Sequence, residues 1–228
     1  MALSRDRFLA AAVAVVCGCL VYANTSAADQ AKEDKESRPI RILALGDSLT
    51  AGYGLDDLAD SFPSQLERAL EADGYNVDLI NAGISGDTST GGLTRLEWSL
   101  AEKPDAVIVS LGANDGLRAI DPAVTEKSLA GIVERLQRDG IPVLLTGMLA
   151  PPNLGRDYGE RFNAMYPALA KKFDVLLYPF FLEGVAAVPA LNQADRIHPN
   201  PKGVALMVEK ILPSVEKLIA QVHDRRGQ

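Results

Sequence analysis

The chain has 228 residues, of which 47% are hydrophobic and 23% are charged, a composition typical of one folded domain. Its 30 acidic and 23 basic side chains give a formal net charge of −7, which disfavours a nucleic-acid-binding surface. Both cysteines, Cys17 and Cys19, lie near the N-terminus, so the rest of the chain can form neither a disulfide nor a thiolate metal site.

Residues 1–28 have the features of a secretory signal peptide. Arg5 and Arg7 precede an apolar run from Phe8 to Val21, and small residues up to Ala28 provide a cleavage site. The run is shorter than the roughly 20 apolar residues of a transmembrane helix. We expect a periplasmic or secreted protein with no stable membrane span after processing. Two alternatives stay open, namely a permanent anchor and a lipoprotein attached through Cys19.

The segments that follow predict one α/β domain. Residues 29–38 are charged and aperiodic, which predicts a flexible leader, and the domain is expected over 39–222 with a frayed tail at 223–228. Within the domain, apolar runs of strand length alternate with segments of helical periodicity. The predicted strands are Ile40–Leu45, Val77–Asn81, Ala106–Leu111, Val143–Gly147 and Val175–Tyr178. The predicted helices are Phe62–Ala72, Gly91–Ala101, Pro122–Arg138, Tyr158–Phe173 and Lys202–Val222. This alternation predicts a three-layer α/β/α sandwich around a central parallel sheet of about five strands.

Polar segments follow the first three predicted strands, and another lies near the end of the domain. They are Gly46–Thr50, Ala82–Asp87, Gly112–Asp115 and Asp195–Pro199. In an open parallel sheet, ligand sites lie beyond the carboxyl ends of the strands. We therefore expect these four loops to converge at one edge of the sheet.

The loops contain the parts of a nucleophilic serine site. A serine hydroxyl needs a positioned imidazole to take its proton, and the imidazole needs a carboxylate. Of the two histidines, His223 lies in the expected tail, which leaves His198 as the candidate base. Asp195 precedes it by one short turn, and Ser48 follows the first strand. The Ser48 amide, the Gly83 amide and the Asn114 side chain are candidate donors to an oxyanion.

Each motif alone has a plainer interpretation. Gly46–Ser48 could be a helix-capping turn, Asn114–Gly116 a simple turn, and Asp195–His198 a surface loop or half of a metal site. Their coincidence favours catalysis. Ser85 and residues 87–89 are expected to cap the next helix and brace the loop, and Trp98 is expected in the core. With one usable histidine and no nucleotide-binding fingerprint, we expect no metal and no cofactor.

The combination resembles the SGNH (GDSL) hydrolases. Gly46–Leu49, Gly83 in Asn81–Asp87, Asn114 and the Asp195–His198 pair match the four sequence blocks of that family in order. Longer matches resemble its subgroup of multifunctional acyl-CoA thioesterase I/protease I/lysophospholipase L1 and arylesterases. The resemblance implies a flavodoxin-like fold and a serine esterase with Ser48 as nucleophile, His198 as base and Asp195 as its partner. Ser48, Gly83 and Asn114 would form the oxyanion hole.

The resemblance also implies a class of substrate. Small acyl esters, thioesters or lysophospholipids are expected, and the protein is expected to be a monomer. Ala113 and Met148–Pro152 depart from the subgroup's pattern, which leaves substrate preference open. An apolar groove for the substrate, or simple loop packing, is expected from Leu117, Leu149, Pro151, Leu154 and Tyr158. The alternative functions are a carbohydrate O-acetylesterase, which should reject long acyl chains, and a non-catalytic lipid-binding protein.

Overall fold

The computed structural model describes residues 38–227. The predicted signal peptide and the predicted leader up to residue 37 lie outside the described residues.

A five-stranded sheet forms the centre of the domain. Its strands are β1 (Ile40–Gly46), β2 (Val77–Gly83), β3 (Ala106–Ser110), β4 (Val143–Thr146) and β5 (Leu176–Tyr178), in the spatial order β2-β1-β3-β4-β5. Every neighbouring pair is parallel. β3 and β4 are buried along their whole length, as expected for strands covered on both faces. The predicted parallel sheet is confirmed.

Eight α-helices surround this sheet within the described residues. They are α1 (Ser48–Ala51), α2 (Phe62–Ala72), α3 (Ser89–Thr94), α4 (Leu96–Leu100), α5 (Ala113–Leu117), α6 (Pro122–Arg138), α7 (Arg156–Phe173) and α8 (Pro201–Arg226). Three 3₁₀ turns, Leu58–Asp60, Pro152–Leu154 and Pro189–Leu191, lie in the loops. The apolar faces of α2 and α8 share one hydrophobic cluster, and those of α4, α6 and α7 share a second. The three-layer prediction is therefore confirmed.

One predicted helix, Gly91–Ala101, is divided into α3 and α4. The two segments meet at Arg95, which has φ −95° and ψ 3°. The adjacent Gly91 and Gly92 weaken a continuous helix, and a Cβ at position 92 would overlap the end of the Leu111 side chain, which favours glycine there. The break directs Leu96 into the core and leaves Trp98 75% exposed. The expectation that Trp98 belongs to the core was therefore wrong.

The last helix is longer than the sequence pattern indicated. α8 continues to Arg226, so residues 223–226 are helical and the expected frayed tail there was wrong. The Arg226 guanidinium donates to the carbonyls of Arg38 and Pro39 at 3.1 Å and pairs with Asp105 at 2.8 Å. Its side chain is only 7% exposed. These contacts with residues distant in sequence hold the last helical turn in place. The turn is polar, so it has no apolar periodicity from which a helix could be predicted.

Candidate active site

A cavity of about 860 Å³ opens at the carboxyl edge of the sheet. Its walls come from the loops that follow β1, β2, β3, β4 and β5 and from the segment before α8. The polar residues that line it include Ser48, Ser85, Gly86, Asn114, Asp195, Arg196 and His198. The predicted convergence of four polar loops is thus present. No helix within residues 38–227 is long and apolar enough to cross a membrane.

Ser48 is the first residue of the short helix α1. Asp47 caps this helix by accepting the Leu49 N–H at 3.0 Å, and Gly52 ends it with φ 82°. Position 46 lies just before Asp47, and a Cβ there would overlap Thr50. Only glycine at this position therefore permits the turn from β1 into α1. The sequence Gly46–Asp47–Ser48 therefore places the serine at the carboxyl edge of the sheet.

A chain of two hydrogen bonds joins Ser48 to Asp195. His198 Nε2 lies 2.9 Å from Ser48 Oγ, and His198 Nδ1 lies 2.6 Å from Asp195 Oδ2. Asp195 Oδ1 accepts the N–H groups of Ile197 and His198 at 2.9 and 3.0 Å. The His198 hydrogen bond, with these two N–H groups, lowers the pKa of Asp195 to about 2. The carboxylate is thus ionised at neutral pH and can hold the imidazole in one orientation.

Tyr53 and Gln193 join the serine loop to the histidine loop. The Tyr53 ring lies against His198, with 4.7 Å between the ring centroids. Gln193 Nε2 donates to the carbonyls of Tyr53 and Pro199 at 2.8 and 3.0 Å. The Gln193 N–H also donates to the His198 carbonyl at 2.8 Å. Sequence reasoning missed both residues because neither belongs to a local pattern.

The opposite wall is held by buried polar groups. Arg95 forms an ion pair with Asp87 at 2.7 Å, with each side chain 13% exposed, and donates to the Gly46 carbonyl at 2.9 Å. The fully buried Asp115 accepts hydrogen bonds from the Ser89 N–H, the Ser89 hydroxyl and the Thr125 hydroxyl. Thr88 caps α3 by accepting the Gly91 N–H at 3.2 Å. Residues 87–89 therefore cap and brace this loop as expected, whereas Ser85 lines the cavity.

Asn114 connects this buried wall to the serine loop. Its Nδ2 donates to the Asp87 carbonyl at 3.0 Å and makes a longer contact of 3.4 Å with Asp47 Oδ2. Asp47 is 1% exposed, and burial raises its pKa to about 6, against the opposing effects of the Leu49 N–H and of His198. The Asn114 carboxamide lies in the cavity wall together with Ser48.

The structure does not place Gly83 in the cavity wall. β2 runs to Gly83, two residues beyond its predicted end, so this glycine belongs to the strand and not to the loop. Its N–H donates to Asn81 Oδ1 at 3.0 Å, and a Cβ there would overlap Ala51. Gly86 lies in the wall instead, with φ 83°, and its carbonyl accepts from Arg118 at 2.7 Å. Among the backbone hydrogen bonds of the loops and turns within residues 38–227, none is donated by the Gly86 N–H.

The predicted apolar groove is formed only in part by the residues expected. Leu117, Leu149 and Pro151 line the cavity, whereas Leu154 and Tyr158 do not. The Tyr158 hydroxyl donates to the Ile120 carbonyl at 2.9 Å and its ring stacks on Phe162, so this half-buried side chain packs against the second hydrophobic cluster. Leu154 ends the 3₁₀ turn before α7. Another part of the wall comes from the loop after β5, a segment whose sequence has no helical or strand periodicity. Its apolar lining residues are Phe180, Leu182, Ala186 and Ala187.

In the described part of the chain, no group of three His, Cys, Asp or Glu side chains gathers in a way that could hold a metal ion. The charged side chains of the cavity wall are Asp195 and Arg196, and the imidazole of His198 lies in the same wall. The arrangement therefore offers proton transfer between a serine and an imidazole beside an apolar cavity.

Comparison with known proteins gives four consistent matches. The model of the GDSL-like lipase/acylhydrolase family matches residues 44–206. Esterase TesA of Pseudomonas aeruginosa is 42% identical over 179 residues, which cover 78% of this chain and 89% of that protein. Thioesterase 1/protease 1/lysophospholipase L1 of Escherichia coli is 40% identical over 179 residues, covering 78% and 84%. The crystal structure of AlinE4, an SGNH-hydrolase family esterase, matches with a TM-score of 0.67 and 50% identity, covering 79% of this chain and 96% of that one.

Proposed function

The chain belongs to the GDSL-like lipase/acylhydrolase family, and we propose that it is a serine esterase in which Ser48, His198 and Asp195 form the catalytic triad. It hydrolyses carboxylic esters and thioesters through an acyl-enzyme. The observation that supports these residue roles is the hydrogen-bond chain of 2.9 and 2.6 Å from Ser48 Oγ through His198 to Asp195. In that geometry the imidazole can accept the hydroxyl proton as the serine attacks.

The reaction has two matched halves. Ser48 Oγ attacks the carbonyl carbon while His198 Nε2 takes its proton, and the carbonyl oxygen becomes an oxyanion. The bond to the leaving group then breaks, and His198 returns the proton to the departing alcohol or thiol. In the second half, water gives a proton to His198 and attacks the acyl-serine ester. The carboxylic acid leaves, and Ser48 recovers its proton. Asp195 stabilises the imidazolium in both halves.

We assign the oxyanion donors to Ser48, Gly86 and Asn114. The N–H groups of Ser48 and Gly86 come from two loops that share the cavity wall. The Asn114 carboxamide can keep its bond to the Asp87 carbonyl and turn its second N–H, now 3.4 Å from Asp47, toward the oxyanion. Gly86 replaces Gly83 in this role because the Gly83 N–H already donates to Asn81. Removing one such donor typically lowers kcat by about 10²–10³-fold.

The substrates proposed for this site are small acyl esters, aryl esters, thioesters and lysophospholipids. Its cavity of about 860 Å³ is within the range of small-molecule sites and is lined mainly by apolar side chains. The names of the relatives, an esterase and a thioesterase/lysophospholipase, support the same classes. The enzyme is proposed to act as a monomer, without a metal or other cofactor.

Export is a separate part of the proposal. Arg5, Arg7 and the apolar run up to Val21 support a cleaved signal peptide, and the mature chain would then begin at Asp29. The intact mass of the protein purified from the medium or periplasm tests this directly. A mass that corresponds to residues 29–228 supports cleavage after Ala28, and a lipid-modified chain beginning at Cys19 would contradict it.

Hydrolysis of 4-nitrophenyl esters from acetyl to palmitoyl tests the enzymatic proposal. Purified wild type should hydrolyse them in the presence of EDTA, and Ser48→Ala should lose at least about 10³-fold in kcat. A fluorophosphonate should label the wild type and Ser85→Ala, which lacks the neighbouring serine of the cavity wall, but not Ser48→Ala. Activity confined to acetyl esters would favour a deacetylase. Activity or labelling that persists in Ser48→Ala would refute the assigned nucleophile.

A further inference from the structure

Arg196 occupies an unusual position beside the triad. It lies between Asp195 and His198 in sequence and lines the cavity. Its φ of 62° places it in the left-handed backbone region, which residues other than glycine and asparagine rarely adopt. Glycine would make the same turn with less strain. The turn therefore does not require an arginine.

The positive charge of Arg196 has no partner in the described part of the chain. No ion pair or side-chain hydrogen bond joins its guanidinium to another residue between positions 38 and 227. The neighbouring carboxylate of Asp195 is already occupied, because Oδ2 contacts His198 Nδ1 and Oδ1 accepts two backbone N–H groups. In contrast, the Arg118 guanidinium, which does not line the cavity, donates to the Gly86 carbonyl at 2.7 Å. The Arg196 guanidinium is therefore free to bind a ligand.

The position of Arg196 identifies the part of the substrate that it would meet. His198 Nε2 returns a proton to the leaving group, so the leaving oxygen or sulfur must lie next to His198. Arg196 belongs to the same short loop as His198 and also lines the cavity. The residues that line this cavity are mostly apolar and include Ile197 of the same loop. Arg196 is exposed, so its guanidinium is open to solvent and can bind an anionic group through charge-assisted hydrogen bonds.

We propose that Arg196 is a specificity-determining residue that binds a negatively charged group, phosphate or carboxylate, on the leaving group of the substrate. This inference rests on the proposed esterase function and narrows its substrates to acyl esters or thioesters with an anionic alcohol or thiol portion. Because the protein has a net charge of −7, a local cation at the cavity offsets the general repulsion of such substrates.

A matched pair of substrates tests the proposal. 4-Butanoyloxybenzoate and 4-butanoyloxybenzamide have the same acyl chain and similar shapes, but only the first has a charged leaving group. In Arg196→Gln, kcat/KM for the benzoate should fall about tenfold, mainly through a higher KM. For the neutral benzamide it should change less than about twofold. Arg196→Lys should retain part of the preference, and 1 M salt should reduce the difference between wild type and Arg196→Gln.

Two further variants separate charge recognition from loop structure. Arg156→Gln removes an exposed arginine that pairs with Glu160 on α7, away from the cavity, and should leave both substrates unaffected. Arg196→Gly relieves the left-handed strain, so it should unfold at the same or a higher temperature and still lose the preference for the benzoate.

The possible results are distinguishable. Equal losses for both substrates in Arg196→Gln would mean that Arg196 only shapes the loop, and no change for either would mean that it does not meet the leaving group. Both results overturn the inference while leaving the esterase function intact. A wild type that hydrolyses neither substrate would refute the proposed function, and this inference with it.

Discussion

The two walls of the cavity are held by different forces. The histidine wall, Asn192–Asn200, is tied by hydrogen bonds to backbone carbonyls, and Asp195 is partly exposed. The opposite wall, formed by the loops around Asp87 and Asn114, is held by the buried ion pair of Asp87 with Arg95 and by the saturated carboxylate of Asp115. One wall therefore depends on several weak bonds, and the other on a few buried charges.

This difference matches the roles proposed for the two walls. In the proposed mechanism the histidine passes protons between the serine, the leaving group and water, which requires contact with solvent. The oxyanion donors must hold fixed positions before the charge develops, and buried partners provide that rigidity. Changes in the histidine wall should therefore affect catalysis more than stability, whereas changes behind the oxyanion donors should affect stability first.

The largest effect is expected for Asp195→Asn. The amide can still accept the backbone N–H groups of Ile197 and His198, but its own N–H favours the wrong tautomer of the imidazole. kcat for 4-nitrophenyl butanoate should fall about 10⁴-fold, and the urea midpoint should change little. A loss of less than tenfold would show that the carboxylate does not orient the base.

Arg95→Ala should have the largest effect on stability. It leaves the mostly buried Asp87 carboxylate, only 13% exposed, without its ion pair, and loss of one partner of a buried pair typically costs up to about 3–5 kcal/mol in the free energy of unfolding. Arg135→Ala is the matched control, because Arg135 pairs with the exposed Glu97 and should cost less than about 1 kcal/mol. Urea denaturation measures both. Similar losses in the two variants would contradict the distinction between buried and exposed ion pairs.

Asp47→Asn should change how stability depends on pH. Burial raises the pKa of Asp47 to about 6, above its usual 3.8, so the folded state keeps a proton that the unfolded chain releases between these values. The wild type should therefore lose stability as pH rises through that window, by roughly 3 kcal/mol relative to the variant. The difference in the free energy of unfolding between the two proteins should become constant above about pH 7.

Urea unfolding of both proteins from pH 4 to 8 gives this difference directly. Asp195 contributes in the opposite direction, because its pKa is lowered to about 2 and its stabilisation is lost only in stronger acid. It is present in both proteins and cancels in the comparison. Stability curves that stay parallel from pH 4 to 8 would mean that Asp47 is ionised throughout this range.

The smallest effect is expected for Gln193→Ala. It removes two neutral hydrogen bonds to the carbonyls of Tyr53 and Pro199, and should lower the free energy of unfolding by about 1 kcal/mol. kcat of the fully folded variant should also fall, because the serine loop and the histidine loop lose the hydrogen bonds that join them. Gln137→Ala, which removes a similar bond to the Phe173 carbonyl far from the cavity, should leave kcat unchanged. Equal kcat values in the two variants would mean that Gln193 does not help to position the active-site loops.

Most of the sheet and the polar edge could be predicted because their signals are local. Asp121 and Pro122 mark the start of α6, and the predicted bounds of α2 and α6 agree with the structure. Asp195 and His198 are close in sequence, so one turn brings their side chains together. The carboxyl ends of parallel strands meet at one edge in any such sheet, which places Ser48 near them without knowledge of the packing.

The remaining features depend on contacts that no local window contains. β2 continues to Gly83, where its register with β1 pairs Gly46 with Gly83, so Gly83 belongs to the strand while Gly86 lines the cavity. The last turn of α8 is held by Asp105 and the backbone of residues 38 and 39. The loop after β5 forms part of the cavity only because β5 is an edge strand beside β4.

The sequence by itself thus determined the type of fold, the candidate nucleophile and its base, since turns, caps and alternating apolar runs act over a few residues. Only the tertiary structure decided which glycine lines the cavity, which side chains form the groove, and that Arg196 lies in the cavity wall without an ion pair in the described residues. These outcomes depend on strand register, burial and pairing between distant residues, which the order of the residues fixes only through the complete fold.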